Sequence, residues 1–109
     1  MKKWHVTISS PAEADIDGIY NYIIETFFEP TTAWNQVERI YKEIFSLEEL
    51  PERYSLLPNE PWHSLDLRKM IVDNYLVIYK VEETDNLVVI VTVMYSKRNI
   101  NDVLSEMLT

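Results

Sequence analysis

Polar and apolar residues alternate from Lys3 to Ser9, which places Trp4, Val6 and Ile8 on one side of an extended segment. The period then changes. Ile16, Ile19, Tyr20, Ile23, Ile24 and Phe27 recur at helical spacing and predict an amphipathic helix. Ser10-Pro11-Ala12-Glu13 reads as its capping box, with proline at the first helical position, and Pro30 ends it. Ala33, Val37, Ile40, Tyr41, Ile44 and Phe45 repeat the period in a second helix, which begins at Thr31 or Thr32 and runs until Leu50-Pro51 stops it. A connection this short makes the pair an antiparallel hairpin whose apolar faces need a third surface.

The C-terminal half supplies that surface. The runs Leu65–Val72, Tyr75–Val81 and Leu87–Tyr95 are rich in β-branched and aromatic residues; Asp73-Asn74 reads as a two-residue turn and Glu83-Thr84-Asp85-Asn86 as a longer one. The last run is apolar almost throughout, which predicts a central strand. Ile100, Val103, Leu104, Met107 and Leu108 mark a short C-terminal amphipathic helix. The expected fold is α+β: an N-terminal strand and a two-helix hairpin packed on a small twisted antiparallel sheet, with a short C-terminal helix. Repeats, low-complexity tracts and linkers are absent from the sequence, so residues 1–109 are expected to form one domain.

Composition removes several kinds of chemistry. The chain has no cysteine, which excludes disulfides and thiolate metal sites, and one glycine, Gly18, which excludes glycine-rich phosphate loops. His5 and His63 lack partners at metal-ligand spacing, and pairs such as Glu48-Glu49 and Glu82-Glu83 read as solvated charges. No cofactor and no metal are expected. The start, Met1-Lys2-Lys3-Trp4-His5-Val6, lacks the apolar core of a signal peptide, and no apolar run approaches the roughly 20 residues that span a bilayer, so a cytoplasmic protein without membrane contact is expected.

The formal charge of −8 argues against wholesale nucleic-acid binding. It is unevenly spread. Between Pro11 and Glu52 ten acids face two bases, Arg39 and Lys42, and this stretch carries the whole excess. The rest of the chain balances to zero, and its strand half holds Arg53, Arg68, Lys69, Lys80, Lys97 and Arg98. Two readings fit: the acids merely solvate the outer helix faces, or the chain has an acidic back and a locally basic working face. Arg68, Lys69, Tyr75, Tyr79, Tyr95, Lys97 and Arg98 are expected to converge on one face or rim of the sheet, where guanidinium groups suit phosphate or carboxylate and tyrosine suits stacking or proton donation.

The stretch from Leu67 through Asn74-Tyr75-Leu76-Val77-Ile78-Tyr79 to Val81, the Leu50-Pro51-Glu52-Arg53 connector and the Tyr95-Ser96-Lys97-Arg98-Asn99 tail resemble the RelE/ParE superfamily of small bacterial toxins, over almost the whole chain. The resemblance is nearer the ParE-like branch, whose members poison DNA gyrase, and it implies a type II toxin–antitoxin, growth-inhibiting, plasmid-stabilisation role. The alternative it offers is a metal-independent, ribosome-dependent mRNA endoribonuclease of the RelE type, working through Arg68, Lys69, Tyr79, Tyr95 and Arg98. Three departures weigh against that branch: Leu76 stands where those nucleases carry an arginine, Tyr95 where they carry a basic residue or histidine, and Leu104 near the usual C-terminal tyrosine. A degenerate module that only binds antitoxin is the third reading. In each case a cognate antitoxin is the implied partner, meeting the acidic helices through apolar contacts and Arg68, Lys69, Lys97 and Arg98 through salt-sensitive ones; homo-oligomerisation is left open.

Overall fold

The computed structural model describes residues 3–108. The order is β1 (His5–Ile8), α1 (Ser10–Phe27), α2 (Pro30–Phe45), two short 3-10 turns (Ser46–Glu48 and Pro51–Arg53), β2 (Leu67–Val72), β3 (Tyr75–Glu82), β4 (Leu87–Tyr95) and α3 (Ile100–Met107). This is the expected α+β architecture. Strand order is β1-β4-β3-β2, which puts the apolar β4 in the interior of the sheet, as its composition requires. β2, β3 and β4 are antiparallel, but β1 joins β4 in parallel, so the sheet is mixed. The two-helix crossover between β1 and the rest makes that parallel pairing possible.

Local chemistry sets the helix ends, with three corrections to the sequence reading. Ser9, not Ser10, caps α1: its Oγ accepts from Ala12 N–H (3.2 Å), while Glu13 N–H donates to the Ser9 carbonyl (3.0 Å) rather than closing a reciprocal box. Phe28 ends α1 in the left-handed region at φ 56°, and Pro30 occupies the start of α2. The second helix stops at Phe45, well before Leu50-Pro51. The Ser46 hydroxyl donates to the Glu43 carbonyl (2.5 Å), and the Arg53 guanidinium donates to the carbonyls of Glu49 (2.5 Å) and Leu50 (3.1 Å), serving carbonyls that a continued helix would have bonded itself. The 3-10 turn that follows carries Leu47 into the core. Residues 65 and 66, expected in a strand, lie outside β2, with Asp66 at φ 60°.

The sheet has a core on each side. Ala12, Ile16, Val37, Ile40 and Ile44 of the hairpin pack against Met70, Val77, Tyr79, Val88 and Ile90. On the opposite face Leu57, Trp62, Val103 and Leu104 cover Leu67, Leu76, Ile78 and Met94, so α3 docks on its own core. Trp62 Nε1 donates to Asn101 Oδ1 (3.0 Å) and ties the 57–66 segment to α3.

A register shift between Ile78 and Tyr79 leaves Val91 as the extra residue of β4, opposite neither. β1 ends at Ile8, opposite Ile90, and side chains take over the exposed β4 edge: Ser9 Oγ donates to the Val91 carbonyl (3.1 Å), and Asp15 Oδ2 accepts from Thr92 Oγ1 (2.6 Å) and Val93 N–H (3.0 Å). The edge is thereby closed to other strands. Among the described residues no helix is long and apolar enough to cross a membrane.

Candidate functional site

Strand alternation sets Lys69 on the face opposite Arg68, Tyr75, Tyr79 and Tyr95, and position along the strands divides those four into two groups. Arg68 shares a face of β2 with Met70 and Val72, toward the hairpin; Lys69 shares the other with Leu67 and Ile71. Arg68 stands opposite Tyr79 in the register, and both side chains are spent on the 51–54 connector. The Arg68 guanidinium donates to the carbonyls of Tyr54 (2.6 Å) and Glu52 (3.2 Å) and lies 3.6 Å from the Glu52 carboxylate, with its side chain 17 % exposed. Tyr79 is fully buried and its hydroxyl donates to the Pro51 carbonyl (2.6 Å). Burial pushes that phenol up to about 12, against the opposing pull of the Arg68 and Arg53 charges. Arg53 lies over the Tyr54 ring at 4.9 Å from its centroid, a contact within the connector itself.

The remaining candidates lie elsewhere. Lys69 is half-buried beside Ile71, opposite Ile78. Tyr95, at the end of β4, is opposite Tyr75 at the start of β3, and the rings meet edge to face with centroids 6.1 Å apart. The turn after β4 is fixed by Ser96 N–H donating to the Asn74 carbonyl (2.8 Å) and Arg98 N–H donating to the Tyr95 carbonyl (3.0 Å). It holds Lys97 and Arg98, both exposed, at the same end of the sheet as the Asp73-Asn74 turn. The Tyr75 phenol is raised first by burial, then by the neighbouring Tyr22, Tyr95 and Asp73. Tyr22, which the sequence reading did not single out, therefore belongs to this end. Its ring is edge-on to Phe27 at 6.4 Å, and both are more than half exposed.

Two assemblies thus replace the single expected face. One is the connector, to which Arg68 and the buried Tyr79 are bonded and within which the exposed Arg53 lies over Tyr54. The other is a rim on which Tyr22 and Tyr95 are exposed and Tyr75 is half-buried, flanked by Lys97 and Arg98. The signal for Tyr22 was available: it falls off the Ile16–Ile23 stripe, so its ring was bound to be outside the core. The rim can stack on planar groups and contact anions. For metal chemistry the residues are poorly placed: among those described, no group of three or more histidine, cysteine, aspartate or glutamate side chains could hold an ion, and His63 Nδ1 is engaged with the Leu57 carbonyl (3.0 Å).

A family model, described as the ParE toxin of the type II toxin–antitoxin system parDE, matches residues 6–100. Among solved structures, a chain of the chromosomal ParDE toxin–antitoxin system from P. aeruginosa is 17 % identical with a TM-score of 0.72, over 89 % of this chain and all of that one. A chain of the RelBE2 toxin–antitoxin complex from Mycobacterium tuberculosis is 18 % identical with a TM-score of 0.65, over 87 % of this chain and 93 % of that one. The isolated E. coli RelE toxin is 18 % identical with a TM-score of 0.59, over 96 % of this chain and 95 % of that one. At these identities the structures share the fold. No curated protein sequence gives a significant match.

Proposed function

The chain belongs to the ParE toxin family of type II toxin–antitoxin systems, and from this premise we propose that it acts by binding a macromolecular target, DNA gyrase ahead of the ribosome, and that a cognate antitoxin neutralises it. The observation that supports a binding mechanism is the fate of Arg68 and Tyr79. A ribonuclease would need them beside a phosphate, yet both are committed to the connector, and the Tyr79 hydroxyl is sealed from solvent with its proton held to about 12. A phenol so placed neither reaches a scissile bond nor exchanges protons near neutral pH.

What is left exposed is suited to contact. Tyr95, Lys97 and Arg98 stand at one end of β4, while the −8 excess resides in the Pro11–Glu52 stretch. A chain polarised in this way turns its basic rim toward an anionic surface and its helices away. The endoribonuclease alternative retains Lys69, Tyr95 and Arg98, and the binding-only module retains none of them for catalysis.

Pulse-labelling of DNA and protein synthesis within minutes of inducing this chain alone in a bacterial host separates the three. DNA synthesis falling first supports the gyrase-type reading. Protein synthesis falling first transfers the target to the ribosome, and no early fall in either leaves antitoxin binding as the surviving activity.

A further inference from the structure

Past Ile90 the outer edge of β4 has no strand beside it among the described residues, and α1 takes over. The two meet at successive points. At the N-cap Ser9 Oγ donates to the Val91 carbonyl (3.1 Å), and one turn into the helix Asp15 Oδ2 accepts from the Thr92 hydroxyl (2.6 Å) and from Val93 N–H (3.0 Å). Tyr22 stands seven residues beyond Asp15, hence on the same side of α1 and about 10 Å further along it. Tyr95 stands two residues beyond Val93, on the same face of β4. Tyr22 thereby comes to lie beside Tyr75, whose ring meets that of Tyr95. One line of contacts runs from the Asp15 anchor to the rim.

The apolar stripe of α1 does not by itself decide where along β4 the helix sits. Ala12, Ile16, Ile19 and Ile23 offer an apolar group at every turn, and burial is non-directional, so a helix slipped by one turn, about 5.4 Å, still meets the sheet with apolar side chains. The hydrogen bonds do decide it. One turn before and after Asp15 the same side of the helix carries Pro11, Ala12, Gly18 and Ile19, none of which has a side-chain acceptor. A slip in either direction would therefore strand the Val93 N–H and the hydroxyl of Thr92, a residue only 3 % exposed. A polar contact that selects one register among similar apolar packings acts as a buried asparagine does in a coiled coil.

We propose that Asp15 is a positioning residue of the rim: its carboxylate fixes the register of α1 against the end of β4 and so holds Tyr22 beside Tyr75 and Tyr95 for contact with the target. This rests on the target-binding reading above. Asp15 itself touches no target. It acts through Tyr22, a ring that leaves the apolar stripe and depends on the setting of the whole helix for its place.

The test is a double-mutant cycle on inhibition by the full chain, scored on whichever synthesis the pulse-labelling shows to fall first and normalised to folded protein. Asp15→Ala and Tyr22→Ala are each expected to lower potency about tenfold, and the double variant to lower it little further, since the first change has already displaced the ring that the second removes. Asp15→Asn, which keeps an acceptor oxygen at the same reach, is expected to stay within about twofold of the wild type. Leu57→Ala, a truncation in the core on the opposite face, serves as the control for lost stability and is expected to leave potency per folded molecule unchanged. Should Asp15→Ala not fold, Thr92→Val takes its place in the cycle, removing one of the two bonds at nearly constant volume.

A tenfold loss from Tyr22→Ala that persists in full beside Asp15→Ala, or a folded Asp15→Ala protein of wild-type potency, overturns the inference. So does Tyr22→Ala with no effect. In each of these cases a strong loss from K97A with R98A leaves the rim reading standing, whereas wild-type potency of that charge variant removes both. A wild type that inhibits neither synthesis overturns the target reading and the inference together.

Discussion

Arg68 and Tyr79 face each other across β2 and β3 and send their donors into the same loop, Arg68 to the carbonyls of Glu52 and Tyr54 and Tyr79 to that of Pro51. The connector after the hairpin is thus fastened to the sheet by side chains that its own sequence would offer to a ligand. With regular structure there limited to a single 3-10 turn, these bonds supply acceptor satisfaction that a longer helix or a strand would otherwise provide.

Tyr79→Phe strands the Pro51 carbonyl in a buried site and is expected to cost about 1–2 kcal/mol, with Arg68→Met costing a similar amount. Both variants should lose toxicity only as far as they lose folded protein. Urea denaturation of the purified chain, set beside growth inhibition at a low temperature where both remain folded, checks this. A folded Tyr79→Phe protein with no toxicity would return the hydroxyl to the chemistry.

The alkaline limb of stability should carry the same residue's signature. The Tyr79 phenol ionises at about 12 in the folded chain against an ordinary value of 10.0. Above pH 10 the unfolded chain releases this proton and the folded chain keeps it, so unfolding is favoured as pH rises. The contribution is complete below pH 10 and is lost on the way to 12, on the order of 2 kcal/mol in all. Tyr75 and Tyr41, both raised chiefly by burial, add in the same direction. Urea midpoints followed from about pH 8 to about pH 11 should fall more steeply for the wild type than for Tyr79→Phe.

The fold was largely legible because its signals are local. Helical periods identified α1 and α2, and Asp73-Asn74 between two β-branched runs fixed the β2–β3 hairpin to the residue. What the periods could not carry was non-local: nothing within Trp4–Ser9 says that β1 runs parallel to β4, nor that Asp15 will close the β4 edge past it. The site was less legible. Parity along β2 already set Arg68 with Met70 and against Lys69, so one face could never hold both, but a basic residue beside a known motif reads as a ligand contact until its acceptors are seen. Arginine serves carbonyls as readily as phosphates, and sequence does not tell which lies within reach.

Phe28 illustrates a cost visible only in the backbone. It closes α1 at φ 56° with its ring 82 % exposed, while its N–H donates to the Ile24 carbonyl (2.8 Å). A bulky residue in the left-handed region is penalised by about 1 kcal/mol, which asparagine largely avoids. Phe28→Asn should therefore raise stability by about 0.5–1 kcal/mol without altering the hairpin, as thermal unfolding would show. An unchanged or lower stability would mean that the exposed ring makes contacts worth the strain.

The rim should separate binding from folding most cleanly. Lys97 and Arg98 are exposed, and the turn that holds them depends on main-chain bonds from Ser96 and Arg98, so truncating their side chains leaves that turn intact. K97A with R98A is expected to change stability by no more than about 0.5 kcal/mol while weakening toxicity strongly, because two charges facing an anionic surface set both its approach and its register. Tyr95→Ala removes an exposed ring stacked edge-on against Tyr75 and should cost about 1 kcal/mol of stability beside its effect on activity. Salt distinguishes the contributions. Inhibition by the wild type in a purified target assay should decline as ionic strength rises, the charge variant should show a flatter decline, and Tyr95→Ala should keep the wild-type slope at lower potency. Equal salt slopes for all three proteins would remove Lys97 and Arg98 from the contact surface and leave the tyrosines as its whole content.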